Sequence, residues 1–234
     1  KFYTLYQGDY SVNIVDLGNI KAGEKVTDTY AALKAVVEEL IDENIVPIIL
    51  GGGQDLTYAQ YQGYESRGQK VEVAVVDARF DLNQESTENV VLDSNSYLNH
   101  IILHQPDYLF NLSNVAYQSY LVSKESINMY DKLFFNATRV GSLARRMDQS
   151  EPLMRAADMV SFDIGAIRSS EAPGNANAIP NGLFGDEACQ ISRYAGMSDK
   201  CSSIGFYEFN PTYDPLNQTA MLVSQMVWCF VDGY

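Results

Sequence analysis

Histidine and basic side chains are scarce in this sequence of 234 residues. It contains two histidines, and its 16 Lys and Arg are outnumbered by 30 Asp and Glu, which gives a formal net charge of -14 at pH 7. A nucleic-acid partner requires clustered Lys and Arg that displace counterions from the phosphate backbone. We therefore expect no nucleic-acid partner, and we interpret the acidity as that of a solubilising surface.

Cysteine and long apolar runs are also scarce. Cys189, Cys201 and Cys229 are odd in number and widely separated, which argues against a disulfide framework and against a Cys-rich zinc site. Reduced thiols are typical of a cytoplasmic protein. No apolar run approaches the roughly 20 residues that a membrane helix needs, so we expect no membrane span.

No internal repeat, low-complexity tract or linker divides the chain, and 46% of its residues are hydrophobic. A chain of this length and composition can bury one large core, so we expect a single domain over residues 1–234. The first residue is Lys rather than Met, so we expect that this domain lacks some N-terminal residues.

Two kinds of hydrophobic pattern alternate along the chain. The spacing over 27–43 predicts an amphipathic helix, and continuous apolar runs over 46–50 and 71–76 predict strands that are covered on both faces. Further strands are predicted at 109–111, 133–137, 159–164 and 203–207, and further helices at 97–104, 143–157, 186–195 and 217–231. This alternation predicts a three-layer α/β/α sandwich with a mostly parallel sheet, in which ligands collect at the carboxyl ends of strands.

Four polar segments follow predicted strands. They are Leu50-Gly-Gly-Gly-Gln-Asp-Leu-Thr57, Val75-Val-Asp-Ala-Arg-Phe-Asp-Leu-Asn83, the stretch from Ser161 to Gly174, and Glu208-Phe-Asn-Pro211. In order and spacing they resemble the four signatures of the ureohydrolase family, which includes arginase, agmatinase and formimidoylglutamase. The chain also resembles a divergent formimidoylglutamase-like subgroup from Bacteroidota. The resemblance covers nearly the whole chain and implies an arginase-like fold.

The resemblance implies a site for two Mn²⁺ ions that share bridging carboxylates and activate a hydroxide for attack on an amidine or guanidinium carbon. Asp77, Asp81 and Asp163 match three of the family's carboxylate ligands. Three other ligands are replaced, by Gln54, Arg79 and Gly165. One cation would keep Asp77, Asp81 and Asp163 together with the Gln54 oxygen, whereas the second would have lost a histidine and an aspartate. We expect the binuclear site to be degenerate and the three aspartates to be vestigial ligands.

Five residues are expected to line a ligand pocket: Gln54, Arg79, Asn83, Arg168 and Glu208. Asn83 matches an asparagine that follows the second motif in arginases, and Glu208 matches the acid that contacts the substrate's guanidinium or amidine end. Arg79 is expected to replace the lost cation by pairing with Asp77 or Asp163, because a guanidinium forms bidentate pairs with carboxylates. The resemblance also suggests that the family's proton-shuttling histidine falls near Ser94. His100 and His104, four residues apart on a helix, are expected to have an ordinary structural role.

These substitutions favour a ureohydrolase-like protein that is a non-catalytic pseudoenzyme, binds a partner protein or a small ligand, and needs no cofactor. One alternative is a C–N hydrolase acting on amidines or guanidines, such as a formimidoylglutamase, that works with a single manganese ion or an altered site. Metal-independent chemistry by Arg79, the aspartates and Glu208 is another. No residue is assigned as catalytic. The family resemblance also suggests a homo-oligomer.

Overall fold

The structure, a computed structural model, describes residues 12–82 and 91–234. Its strands are β1 Ile48–Leu50, β2 Val71–Val76, β3 Leu109–Tyr117, β4 Asn136–Arg139, β5 Met159–Asp163 and β6 Ser203–Tyr207. Its α-helices are α1 Val26–Asp42, α2 Leu56–Gln62, α3 Tyr97–Ile102, α4 Lys124–Lys132, α5 Val140–Leu143, α6 Ser150–Ala156, α7 Gly185–Gly196 and α8 Gln218–Gly233. The six strands form one sheet in the order β1-β6-β5-β2-β3-β4, and every pair of neighbours is parallel.

Helices cover both faces of this sheet. On β2, Val73 and Val75 pack with residues of α1 to α4, whereas Ala74 and Val76 pack with residues of α6, α7 and α8. These four side chains are fully buried, and burying one valine contributes on the order of 1.5–3 kcal/mol to stability. The α/β/α architecture predicted from the sequence is confirmed.

Two predicted elements are wrong. The helix expected over 143–157 is interrupted, because α5 ends at Leu143 and α6 begins at Ser150 after a 3-10 turn. Pro152 explains the break: proline is tolerated in the first turn of a helix but not in its interior, where its ring clashes with the preceding turn. The strand expected over 133–137 begins later, at Asn136, because the unpredicted α4 continues to Lys132 and Phe134 turns the chain with φ +58°.

Within residues 12–82 and 91–234, no helix is both long enough and apolar enough to cross a bilayer.

The register of the sheet brings the four polar segments to one edge. Leu50 lies beside Phe206, Asp163 beside Tyr207, and Val76 beside Phe162. The strands β1, β6, β5 and β2 are consecutive neighbours, so the residues that follow their carboxyl ends form a continuous rim. This convergence, predicted from the motif positions, is confirmed.

Candidate active site

The loop after β1 carries Gln54 into this rim. Gly51 and Gly52 have φ values of +93° and +80°, a left-handed conformation that glycine adopts without steric cost. The N–H of Gly51 donates to the Phe206 carbonyl, and the N–H of Glu208 donates to the Gly52 carbonyl, each at 2.8 Å. The loop is therefore bonded through its backbone to the end of β6, and Gln54 is almost completely buried beside it.

Three buried carboxylates lie next to Gln54. Asp77, Asp81 and Asp163 are 1%, 9% and 8% exposed, so they are largely removed from water. Burial raises the pKa of Asp77 well above its usual range, and the neighbouring Asp81 carboxyl raises it further. Burial, together with the charge of Asp163, also raises the pKa of Asp81 to about 7, against the lowering effect of a hydrogen bond with Asp77.

Asp163 has a similar environment. Its pKa is raised well above the usual range by burial and by the charge of Asp77, although its Oδ1 accepts a hydrogen bond of 2.6 Å from the Gly165 N–H. Raised pKa values in buried acids show that the negative charge is poorly compensated by the surrounding protein. The three carboxylates therefore form a cluster that favours protons or an added cation.

The Gln54 amide can face this cluster in two ways. With Nε2 donating to the Tyr97 hydroxyl at 3.0 Å, the amide oxygen lies 3.2 Å from Asp77 Oδ2 and 3.2 Å from Asp81 Oδ2. With the amide turned over, its nitrogen donates to both carboxylates and its oxygen accepts from Tyr97. The first orientation brings three oxygens together and suits a cation between them, whereas the second satisfies the carboxylates by hydrogen bonds alone.

Arg79 does not form the expected ion pair. Its backbone N–H donates to Asp77 Oδ1 at 2.8 Å, and its carbonyl accepts from Asn114 Nδ2 at 2.8 Å, so the backbone at this position is fixed. The ion pairs between described residues do not include one from the half-buried Arg79 guanidinium to Asp77, Asp81 or Asp163 within 4.0 Å. The expected pairing of Arg79 with Asp77 or Asp163 is therefore wrong. The charge of Arg79 still lowers the pKa of the three carboxyls from a longer distance.

Arg168 is engaged elsewhere. Its guanidinium carbon lies 3.2 Å from the centre of the Phe184 ring, and its NH2 donates to the Gly182 carbonyl at 2.9 Å. A cation over an aromatic face is a stabilising contact in its own right. The structure thus brings Gln54 and the three aspartates together but directs Arg168 towards Phe184. Asn83, expected in the same pocket, lies outside the described residues.

Glu208 is placed at the rim with two partners that sequence reasoning did not assign. Its Oε1 accepts hydrogen bonds of 2.7 Å from the Gln54 backbone N–H and from Ser94 Oγ. Ser94 also lies 3.4 Å from Asp55, which is in turn hydrogen-bonded to the Tyr30 hydroxyl. Glu208 has a φ of +64°, a strained conformation for a residue with a side chain, and such strain is concentrated at functional sites.

The two histidines lie apart from this cluster. His104 Nδ1 is 2.8 Å from the Tyr58 hydroxyl, and the His100 ring packs 5.4 Å from the Tyr58 ring. Burial lowers the pKa of His104, so its neutral form is favoured. These contacts are those of packed aromatic residues, in agreement with the structural role expected from the sequence.

The residues present do not fit a pair of metal ions. The second ion would need ligands where Arg79 offers only donors and Gly165 offers no side chain. Among the residues that the structure describes, no three His, Cys, Asp or Glu side chains surround a common point as metal ligands would. A second ion would therefore need ligands other than the side chains at positions 79 and 165.

A single hard cation fits better. With the Gln54 amide in its first orientation, its oxygen lies 3.2 Å from a carboxylate oxygen of Asp77 and 3.2 Å from one of Asp81. In an octahedral site with metal–oxygen distances of about 2.1 Å, adjacent ligand oxygens are roughly 3.0 Å apart. The spacing and the oxygen chemistry of these three groups are suitable for Mg²⁺ or Mn²⁺.

Comparisons with known proteins show the family and the fold. A model of the arginase family matches residues 2–232. Formimidoylglutamase of Staphylococcus aureus is 27% identical, over 93% of this chain and 71% of its own length. Among solved structures, Trypanosoma cruzi formiminoglutamase with Mn²⁺ superposes with a TM-score of 0.81 at 17% identity, covering 91% of this chain and 73% of that one. Bacillus subtilis formimidoylglutamase gives 0.80 at 18% identity, covering 93% and 71%.

Proposed function

This chain belongs to the arginase family, and we propose that it is a C–N hydrolase for a small amidine or guanidine, with a site altered to hold one cation rather than two. The observation that carries the proposal is the buried group formed by Asp77, Asp81 and the adjoining Gln54 amide, next to Asp163. Relatives named formimidoylglutamase favour this alternative over the non-catalytic protein expected from the motif losses alone.

The chain's own residues would have distinct tasks. Gln54, Asp77 and Asp81 would hold the cation, which when bound lowers the pKa of a coordinated water and polarises the substrate. Glu208 is fixed through Oε1 by the Gln54 N–H and by Ser94, and its Oε2, to which no described residue donates, would accept a hydrogen bond from an amidinium N–H. An amidinium is planar and cationic, so a carboxylate can bind and orient it through charge-assisted hydrogen bonds.

A second candidate is binding of an amidinium or guanidinium ligand without catalysis. It is favoured by the alternative Gln54 orientation, in which the amide nitrogen donates to Asp77 and Asp81 and no cation is needed. The charge of the cluster would then attract the ligand itself. The two candidates predict different metal contents and different behaviour towards substrate.

The decisive experiment measures metal content and turnover in the same preparations. Protein stripped with chelator is loaded with Mn²⁺, the bound metal is counted by mass spectrometry, and release of formamide, ammonia or urea is followed with formimidoylglutamate, agmatine and arginine. We expect one ion per chain and saturable turnover of one substrate. Asp81→Asn should lose both, whereas Asp199→Asn, the same change at an exposed position, should keep both.

Each contrary result has a distinct meaning. Two ions per chain would contradict the one-cation site. No turnover of any of the three compounds, together with saturable binding of an amidine that Asp81→Asn abolishes, would reject the hydrolase in favour of the non-catalytic candidate.

A further inference from the structure

A cavity lined by arginines opens at the carboxyl ends of β3 and β4, on the side of β2 away from β5. Its volume is about 530 Å³, within the range of about 300–1,000 Å³ that is usual for small-molecule sites. The loop of residues 117–120 forms one wall. Arg139, Arg145 and Arg146 contribute to the opposite side.

The charge of this cavity contrasts with that of the whole protein. Three of the chain's eight arginines line it, although the formal net charge is -14. None of the described residues that line it is acidic. Like charges held around one space repel each other, and an anion between them would remove that repulsion.

Only one of the three guanidinium groups is neutralised by a described carboxylate. Arg146 forms a bidentate pair with Asp148, with Nε to Oδ1 at 2.9 Å and NH2 to Oδ2 at 2.7 Å. Arg139 and Arg145 form no ion pair with any residue in 12–82 or 91–234. Among the residues that the structure describes, the cavity therefore keeps an excess of two positive charges, which matches a dianion.

The wall formed by residues 117–120 is rigid and polar. Gln118 is 1% exposed; its backbone N–H donates to the Ala78 carbonyl at 2.9 Å, and its side-chain nitrogen donates to the Asn181 carbonyl at 3.0 Å. Its amide oxygen accepts a hydrogen bond from the Tyr120 hydroxyl. A wall fixed in this way reduces the cost of ordering the site when a ligand binds.

From this arrangement we propose that the cavity is a binding site for a small dianion, either a dicarboxylate or a phosphate, held by Arg139 and Arg145. Guanidinium groups bind both kinds of oxyanion through paired N–H···O bonds, so the two share one recognition chemistry. The proposal does not depend on hydrolysis or on a cation at the carboxylate cluster, because none of the residues assigned to that cluster lines the cavity.

The test is calorimetric titration of the full chain with glutarate, inorganic phosphate and, as a monoanion, acetate, at low ionic strength. We expect saturable binding of glutarate or phosphate that is tighter than that of acetate. Removing one charge-assisted contact by Arg139→Gln or Arg145→Gln should weaken binding about tenfold, and the double variant should weaken it further. Arg155→Gln is the matched control, since Arg155 is an exposed arginine that does not line the cavity.

The two probes identify the source of the dianion, because tighter binding of glutarate indicates a dicarboxylate and tighter binding of phosphate indicates a phosphate. The proposal is overturned if neither dianion saturates the wild-type protein. It is also overturned if the double variant binds them as tightly as Arg155→Gln does. Thermal unfolding of each variant checks that the fold is intact, and Arg139→Lys, which keeps the charge but not the fork, should recover only part of the affinity.

Discussion

An acid introduced at position 165 gives a direct measure of the uncompensated charge in the carboxylate cluster. A Cβ at Gly165 would lie 3.1 Å from both Asp163 carboxylate oxygens and 3.4 Å from Asn175 Nδ2, a tight but nearly acceptable fit. Gly165→Asp and Gly165→Asn introduce the same crowding, but only the aspartate adds a charge. Two unit charges about 4 Å apart interact by roughly 4 kcal/mol at an effective dielectric constant of about 20.

We therefore expect Gly165→Asp to have a free energy of unfolding up to about 4 kcal/mol lower than Gly165→Asn at neutral pH in chelator. The measurement is urea denaturation of both variants and the wild type. Added Mn²⁺ should reduce the difference, because a cation between the carboxylates replaces their repulsion with attraction. Because protonation of the cluster would hide the repulsion, the comparison is repeated at alkaline pH; equal stability of the two variants in chelator at both pH values would refute the inference that the cluster is short of positive charge.

Two further predictions concern packing and pH. Gly196→Ala should lower the free energy of unfolding by about 3 kcal/mol or more, because the new Cβ would overlap the Phe230 carbonyl where α7 meets α8. In the control Gly141→Ala, the new Cβ meets no atom within 4 Å, so urea denaturation should show no loss of stability. Burial lowers the pKa of His104 against the opposing charge of Glu65, so the stability from its neutral form is present above the unfolded value of 6.5 and is lost as pH falls through the lower folded pKa. In His104→Gln, the free energy of unfolding should fall less steeply as the pH is lowered, which urea denaturation at several pH values measures. An unchanged pH profile would contradict the assignment of this fall to His104.

The elements most accurately predicted from the sequence are those buried on both faces. The strands at 71–76 and 203–207 were expected with the bounds that the structure gives them, because burial on two sides leaves a continuous apolar run. The helix Lys124–Lys132 escaped prediction. Of its nine residues only Ser126 and Tyr130 are buried, with Ile127 packed beside them, so its apolar stripe is too narrow to be recognised in the sequence.

The candidate site was predictable as a location and less so as a set of contacts. Motif spacing predicted that Asp77 and Asp163 lie at one rim, because the carboxyl ends of parallel strands lie at the same edge of a sheet. The direction of the Arg79 side chain could not be predicted, since it depends on packing that the local sequence does not specify. The bond between Ser94 and Glu208 joins residues 114 positions apart, and a single sequence gives no signal for such a contact.

The backbone bonds between the loop after β1 and the end of β6 have a consequence for how this family diverges. Gly51 and Glu208 anchor the rim through main-chain groups, and such bonds are indifferent to the side chains that a lineage acquires or loses. Side chains on this loop, such as that of Gln54, can then change without loss of the bonds that hold the loop in place. The position of the rim is therefore set separately from the chemistry of the side chains that it carries.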